Sequence, residues 1–511
     1  MSRTPVPRSA RWLADHRWLY VVPVLLPLSK AYALAEALSA RLRSRRAGAV
    51  RRHRRRVALM QARVREHAAQ GGEGRSGGGL MCTARPQWRS MSHSRNRFYK
   101  DGAFLVPAQL DDILQVDAQR RTVTVGPAVT MGRLMAGLPD GWTLPVVPEM
   151  EDLTVGGLVM GYGIETSSHR HGLFADNIES CEVLLAGGEV VVADRTRRAD
   201  LFHALPWSRG TLGLLTSVQL RMIPASPWVR LAYHRLGSAA ALTDCLESYS
   251  SGPAPPDFVE GFRFSPTESV VVTGTLADRP RGDGTVNRMG RWHKPWFHEH
   301  VRAQCRLRRN AEYVPLRDYY FRHSRSIYWA AEMLVPSGNH PLFRYALGWL
   351  MPPKAAFLKR TETPGIRRLY LQNTVTQEAL VPVRALPEAI EKCREAFHVD
   401  RMWLCPVTLR RSEPEGLVSP GTADGLYVDI AVVFETPEPV RLGRRWDVRQ
   451  ATREFEAWLL CNGGFQVPYV ASHMTREEFW SMFAHRPYLA ARKKYGAEGA
   501  FLDIYDKVSS N

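Results

Sequence analysis

Between Glu149 and Gly172 the chain runs EMEDLTVGGLVMGYGIETSSHRHG, placing Gly156, Gly157, Gly161, Gly163 and Gly172 among small hydroxylated and aliphatic residues. No long charged side chain interrupts Leu153–Ile164. Glycine tolerates positive φ and lets a ligand come within contact distance of the main chain. Successive exposed N–H groups can then hold an anion without any lysine or arginine. The stretch predicts a loop that cradles a phosphate-bearing cofactor; a plain glycine turn between strands is the alternative. The following residues favour the cradle. Cys181–Val192, CEVLLAGGEVVV, reads as strand, Gly-Gly turn, strand. Asp200–Pro224 reads as a short helix, a second glycine turn at Gly210 and Gly213, and a strand. Upstream, Ile113–Val116 and Thr122–Val125 read as a hairpin, and Val129–Leu138 as a short helix.

A chain of 511 residues, 45% of them apolar, has room for two to four domains and a large core. Its formal charge of +19 is concentrated: residues 1–67 carry +13 and the other 444 only +6. The basic character thus belongs to an N-terminal appendage. Seven cysteines with no C-x-x-C pair speak against a disulfide framework and a structural zinc site, and His169 and His171 lack a matched acidic partner for a metal. Reduced thiols are expected.

Trp18–Ser29, WLYVVPVLLPLS, is apolar, and Ala31–Leu38 continues it past Lys30 with only Glu36 charged. A span needs about 20 such residues. Pro23 and Pro27 are expected to kink it, and no small-residue cleavage site follows. A buried soluble hairpin is the alternative to a membrane anchor, spanning or re-entrant. Nine arginines in Arg41–Arg56 favour the anchor, because cationic residues flanking an apolar segment stay on the cytosolic side and attract anionic lipid. Nucleic acid is disfavoured: no base-stacking aromatic is interleaved with them. Val57, Met60 and Val64 recur at helical spacing. Gln70–Leu80 reads as a flexible linker, and its formal G-x-G-x-x-G at Gly72, Gly74 and Gly77 is a low-complexity decoy with no strand before it. No long-period repeat is visible.

The order of glycine loop, strand pair, Asp200-started helix and Gly210, Gly213, Leu214, Leu215, Thr216 strand resembles the FAD-binding domain of the vanillyl-alcohol-oxidase superfamily. A closer resemblance, to Δ24-sterol reductases of the DIMINUTO type, rests on Leu144–His169, MCTARPQW (Met81–Trp88), VTMG (Val129–Gly132), HKPWF (His293–Phe297), PLRDYYFRHSRSIYW (Pro315–Trp329) and MTREEFWSMF (Met474–Phe483). It covers nearly the whole chain from about residue 10. The resemblance implies an α+β protein: a two-subdomain PCMH-type FAD-binding domain plus an α/β cap domain that selects the substrate. The corresponding division is an N-terminal anchor at 1–40, an Arg-rich segment and linker at 41–80, the FAD-binding domain at 81–227, the cap at 228–445 and a C-terminal return at 446–511.

For the FAD the implied contacts are Thr154, Val155, Gly156, Gly157, Leu158, Gly161, Gly163, Ile164, Glu165, Thr166, Gly210 and Gly213. Glu149, Glu151 and Asp152, just before the glycines, could touch a ribose or cap a turn, and Asp152 reads as a turn cap. Saturating an isolated alkene needs a hydride and a proton, and the proton must come from a positioned acid. Tyr320 and His323, in a polar-aromatic cluster with Tyr319 and Arg325, and Tyr469, near His473, are the candidate catalytic residues; a solvated helix face is the alternative for the cluster. The sequence departs from the branch at Ala84, usually glycine, and at Ala330, where an acid usually follows the tryptophan; here the nearest acid is Glu332. The tryptophans, 14 in all, suggest a large apolar pocket.

The implied activity is an FAD reductase, with NADPH as hydride source and a sterol as substrate, held on a membrane such as the endoplasmic reticulum. An FAD oxidase or dehydrogenase of another hydrophobic alcohol, and a non-enzymatic basic scaffold, are the competing readings. In the superfamily a histidine in the first cofactor loop often bonds covalently to the flavin; CTARPQW has none, and the next is His93. The FAD is therefore expected to be non-covalent. Acid precipitation of purified protein should release all yellow colour to the supernatant; flavin retained in the pellet would contradict this.

Overall fold

The computed structural model describes residues 12, 16–44, 48–71, 79–90, 100–307, 311–361, 363–420 and 424–510. Gly72, Gly74 and Gly77 of the linker, His93, Cys305 and the extreme N-terminal arginines Arg3, Arg8 and Arg11 lie outside the described residues or their described side chains.

Among the described residues, two sheets carry the α+β architecture. A five-stranded antiparallel sheet has the order Ile113–Asp117, Thr122–Val125, Leu214–Arg221, Ile178–Leu184, Val190–Asp194. These strands form where the sequence alternates: in Thr122–Val125 the two valines are buried and the threonines half-exposed. A two-stranded parallel pair, Met81–Thr83 with Phe104–Val106, belongs to a second, smaller core. That core is closed by the helix Ala49–Gly71, whose Met60 and Val64 are buried against Val106, Leu110, Leu214 and Phe501. The arginine-rich helix is thus docked on the protein, with Arg52 on Asp112 at 2.8 Å and Arg56 on Asp111 at 2.7 Å.

The larger sheet has nine strands in the order Thr285–Val286, Glu312–Pro315, Trp228–Leu236, Glu268–Ala277, Phe258–Ser265, Met402–Leu409, Gly425–Glu435, Val375–Pro382, Phe465–Gln466. Its central strands are buried on both faces, as their unbroken apolar runs require. Helices Ala239–Ser251 and Leu386–Phe397 pack on it. The strand Phe465–Gln466 adds to this sheet, and the chain then crosses back. Tyr488 meets Thr211 through their hydroxyls at 2.7 Å, Arg492 donates to the Thr211 carbonyl, and Lys507 to that of Arg209.

The N-terminal apolar stretch is helical. A π-helical turn, Val21–Leu25, contains Pro23 and precedes the α-helix Leu26–Ser44. Proline removes an amide donor, and a widened turn absorbs the mismatch.

Candidate functional site

The glycine stretch folds as a short helix, Val155–Met160, followed by an open loop. Thr154 precedes the helix in extended conformation and accepts a hydrogen bond from Arg85 at 3.1 Å on its hydroxyl. The glycines serve close approach more than unusual dihedrals. A Cβ on Gly156 would lie 2.6 Å from Pro127, and one on Gly163 2.8 Å from Phe174. Positive φ occurs at Gly172, 71°, where the stretch ends, and at Gly210, 70°.

A cavity of about 350 Å³ lies between this segment and the nine-stranded sheet. Thr154, Gly156, Gly157, Leu158, Gly161, Gly163, Ile164, Gly210 and Gly213 line one side. Val155, Glu165 and Thr166 are not among its described lining residues; they are buried behind it. Arg85, Arg209 and Lys507 add positive charge to the same wall. Burial, reinforced by Arg209, lowers the Lys507 ammonium to about 7, so an anion beside it would restore its proton. Backbone exposed by glycine together with three cationic side chains fits the diphosphate of FAD.

The opposite wall is one face of the sheet. Glu378 pairs with Ala431, Trp403 with Ala431 and Thr376 with Val433, so all five side chains share that face. All five line the cavity. Next to Thr376 the register slips, and Phe434 takes φ of 59°. This bulge brings Val433 and Phe434 both to the cavity, which strict alternation forbids.

Four polar groups meet between this otherwise apolar wall and the glycine segment: Glu378 and Asp429 of the sheet, Tyr469, and Tyr162 from between Gly161 and Gly163. Tyr469 donates its hydroxyl to Glu378 Oε2. Tyr162 donates to Asp429 Oδ1 at 3.0 Å. Glu378 and Asp429 are hydrogen-bonded to each other. Burial raises both carboxyl groups, Asp429 to about 8, so the pair holds a proton at neutral pH. Glu149 also lines the cavity, and burial, then the charge of Glu165, raises it to about 8. Sequence reading gave no role to Glu378 or Asp429 and offered Glu149 only as a turn or ribose contact. The available signal was an acid inside each of two strongly apolar strands, VTQEALVP and GLYVDIAVVF.

Of the candidate catalytic residues, Tyr469 lines the cavity. Tyr320 and His323 stand behind its wall. Tyr320 meets Thr143 through their hydroxyls at 2.8 Å. His323 is fully buried and stacks on Tyr328, ring centroids 4.3 Å apart. Burial lowers His323 to about 4, leaving the imidazole neutral at physiological pH. Tyr328 and its neighbour Ile327 do line the cavity, and both have left-handed backbones, φ 54° and 46°. Such strain, uncommon outside glycine and worse for a β-branched residue, persists where surroundings impose it. Here the Ile327 amide is bonded to the His323 carbonyl at 2.7 Å. Glu332, the nearest acid to the departure at Ala330, faces His298 and Arg401 at 3.0 and 2.7 Å.

Glu165 and Thr166 join a buried network centred on Arg322. Its guanidinium reaches Glu165 at 2.7 Å and Glu260 at 2.9 Å. Burial would raise Glu260, but Arg322 and the His323 hydrogen bond bring it down to about 2. Tyr319 donates to the Thr166 hydroxyl at 3.1 Å, and Trp403 Nε1 donates to Glu260 at 2.9 Å.

A family model described as an FAD binding domain matches residues 79–194, which include the glycine segment. The Delta(24)-sterol reductase of Homo sapiens is 39% identical over 500 residues, covering 97% of this chain and 94% of its own. That of Arabidopsis thaliana is 36% identical over 544 residues, covering 99% and 94%. A Delta(24)-sterol reductase homolog of Caenorhabditis elegans is 35% identical, covering 96% and 94%. Likeness on this scale spans the glycine wall, the sheet wall and the N-terminal helix together, and the chain belongs to the Δ24-sterol reductase family.

Proposed function

We propose that this protein is an FAD-dependent reductase that saturates the Δ24 side-chain double bond of a sterol, with NADPH as the hydride source. Full-length relatives named as sterol reductases support it over an oxidase of another hydrophobic alcohol. The observation that carries the chemical reading is the buried acid pair Glu378–Asp429 on the apolar sheet face, with Tyr469 on Glu378 and Tyr162 of the facing glycine segment on Asp429. FAD, when bound, supplies the hydride to one alkene carbon. The other carbon needs a proton, and an aqueous acid cannot reach a buried sterol side chain.

We assign that proton to Tyr469. For the transfer the Tyr469 hydroxyl turns its O–H from Glu378 to the carbon; as that bond breaks, the proton held by the Glu378–Asp429 pair passes to the phenol oxygen, and the pair keeps the charge. Tyr320 and His323 are positioning residues in this reading, Tyr320 through Thr143 and His323 through Tyr328. The glycine wall, with Thr154, Leu158, Ile164, Gly210 and Gly213, holds the FAD; Val155, Glu165 and Thr166 act by fixing that wall from behind. Residues 81–227 with the chain after Gln466 form the FAD-binding part, and 228–466, through the last strand of the nine-stranded sheet, form the cap, so the return begins later than the expected 446. The FAD is held non-covalently. The apolar helix and the arginines that follow it support a membrane-bound enzyme whose body faces the cytosol, on the endoplasmic reticulum in a eukaryotic cell.

Gly157→Val tests the wall. Its Cβ would lie 3.1 Å from the Thr154 hydroxyl, and the larger branches would enter the cavity. FAD affinity should fall at least about tenfold, roughly 1.4 kcal/mol, with little change in circular dichroism; a full flavin content after purification would remove Gly157 from the site.

Tyr469→Phe and Glu378→Gln test the proton. Each should slow sterol turnover about 10²- to 10⁴-fold while NADPH-driven flavin reduction stays near the wild-type rate; Tyr320→Phe should cost less. Equal losses in both half-reactions would contradict the assignment. The acid must be protonated to act, so turnover should fall as pH rises through about 8, the value for Asp429. A rate still rising above pH 9 would exclude the pair as the proton source.

A further inference from the structure

The helix Trp18–Ser39, 22 residues and largely apolar, is long enough to cross a bilayer. It is nevertheless fastened to the body along its length. Val21 and Leu26 are buried in a cluster with Trp296, Ala331, Val335 and Leu350. One turn on, the Ser29 hydroxyl accepts the Lys354 amide at 2.7 Å. Tyr32 then meets Phe357, ring centroids 5.9 Å apart, and Glu36 pairs with Arg89 at 3.1 Å. A helix attached at four successive levels to one side of a globular body cannot run perpendicular through a bilayer without breaking those contacts or drawing the body in.

Its outer face remains apolar. Trp18, Leu19, Val24, Leu28, Leu34 and Leu38 are all exposed. The cap helix beside it has the same asymmetry. In Pro341–Leu347, Phe343 and Leu347, one turn apart, pack on the Val21–Leu26 cluster. Leu342 is 76% exposed and Tyr345 64%. The following turn, Gly348–Leu350, buries Leu350 in that cluster and leaves Trp349 49% exposed. Trp292, 42% exposed, extends the row, with its ring 6.5 Å from Tyr345. Isolated exposed apolar residues are ordinary, but adjoining rows on two packed helices form a patch that marks an interaction surface.

From this we infer that the cap segment Leu342, Tyr345 and Trp349 is a second membrane-binding element, and that with the N-terminal helix it seats the protein in one leaflet of a phospholipid bilayer without crossing it. Lipid is the occupant because the patch continues the face of a helix apolar enough for the membrane interior. It also carries tryptophan and tyrosine, whose part-apolar, part-polar rings settle at the headgroup level. A helix lying in the interfacial plane needs one apolar face, which this helix has, whereas a spanning helix needs none held by protein. The inference rests on the membrane-bound reading above and deepens it: a bilayer-dissolved sterol would meet the cap directly.

The test uses full-length, FAD-loaded protein and vesicles of phosphatidylcholine with one-fifth phosphatidylserine, without sterol or NADPH, so its result is independent of the reductase activity. Flotation is compared for wild type and for the triple variant Leu342→Asp, Tyr345→Ser, Trp349→Ser, with Leu342→Asp alone as a second variant should the triple variant lose its flavin. The expected result is at least a tenfold loss of vesicle partitioning for the triple variant, and a smaller loss in the same direction for Leu342→Asp, with flavin content retained. Wild-type flotation of a flavin-loaded variant would overturn the inference, because a spanning helix would hold the protein regardless of the cap. Failure of the wild-type protein to float would overturn it together with membrane attachment itself. Conversion of a wild-type dimer to monomer in the variants, with flotation unchanged, would assign the patch to a second copy of the chain and overturn it equally.

Discussion

The buried guanidinium of Arg322 is the contact on which the site depends. It lies between Glu165, at the end of the glycine segment, and Glu260, in the centre of the nine-stranded sheet, and all three side chains are at most 1% exposed. Removing three charged groups from water is expensive, and their mutual attraction offsets that only with good geometry and further hydrogen bonds. The Arg322 fork supplies the geometry, and it also bonds the Tyr319 carbonyl and lies 4.4 Å over the Tyr319 ring. Glu260 takes a further bond from Trp403, a residue of the cavity wall. One cation thereby fixes the glycine wall, the Tyr319–Tyr328 segment and the sheet face relative to one another. Deleting one partner of such a network leaves a buried charge uncompensated, which costs about 3–5 kcal/mol.

With the two walls fixed, the chemistry follows from their contrast. The glycine wall offers backbone and positive charge, suited to a diphosphate. The sheet wall offers hydrocarbon and a small acidic cluster, suited to an apolar alkene that needs a proton. The cluster lies where water is scarce, and that scarcity raises its carboxyl groups and keeps them acidic in function. The left-handed backbone at Ile327 and Tyr328 stands at the seam between the walls, held by the His323 stack and the Ile327 amide bond.

Local features were legible in the sequence. The glycine segment, the 181–192 strand pair, the Ile113–Val125 hairpin and the Val57–Met60–Val64 helix face all announce themselves through spacing over a few residues. What was not legible depends on partners distant in the chain. Glu378 and Asp429 read as lone acids in apolar strands until strand pairing makes them diagonal neighbours on one face. Glu165 and Thr166 follow the glycines directly and so read as cofactor contacts, yet Arg322, 157 residues on, turns Glu165 away into the interior. His323 reads as an acid–base residue by type, and burial removes its proton. The glycines suggested positive φ, which the structure has at Gly172 and Gly210, whereas at Gly157 it uses only the missing side chain within a short helix.

The coupling between the walls can be measured where neither partner touches the cavity. FAD affinity is determined for wild type, Glu165→Gln, Arg322→Met and the double variant after flavin removal and reconstitution. If Arg322 positions the glycine wall through Glu165, each single change weakens FAD at least about tenfold, or 1.4 kcal/mol. The double variant then binds no worse than the weaker single one, leaving a coupling energy of at least about 1 kcal/mol. Single variants that bind FAD as wild type does, or losses that simply add, would contradict the account.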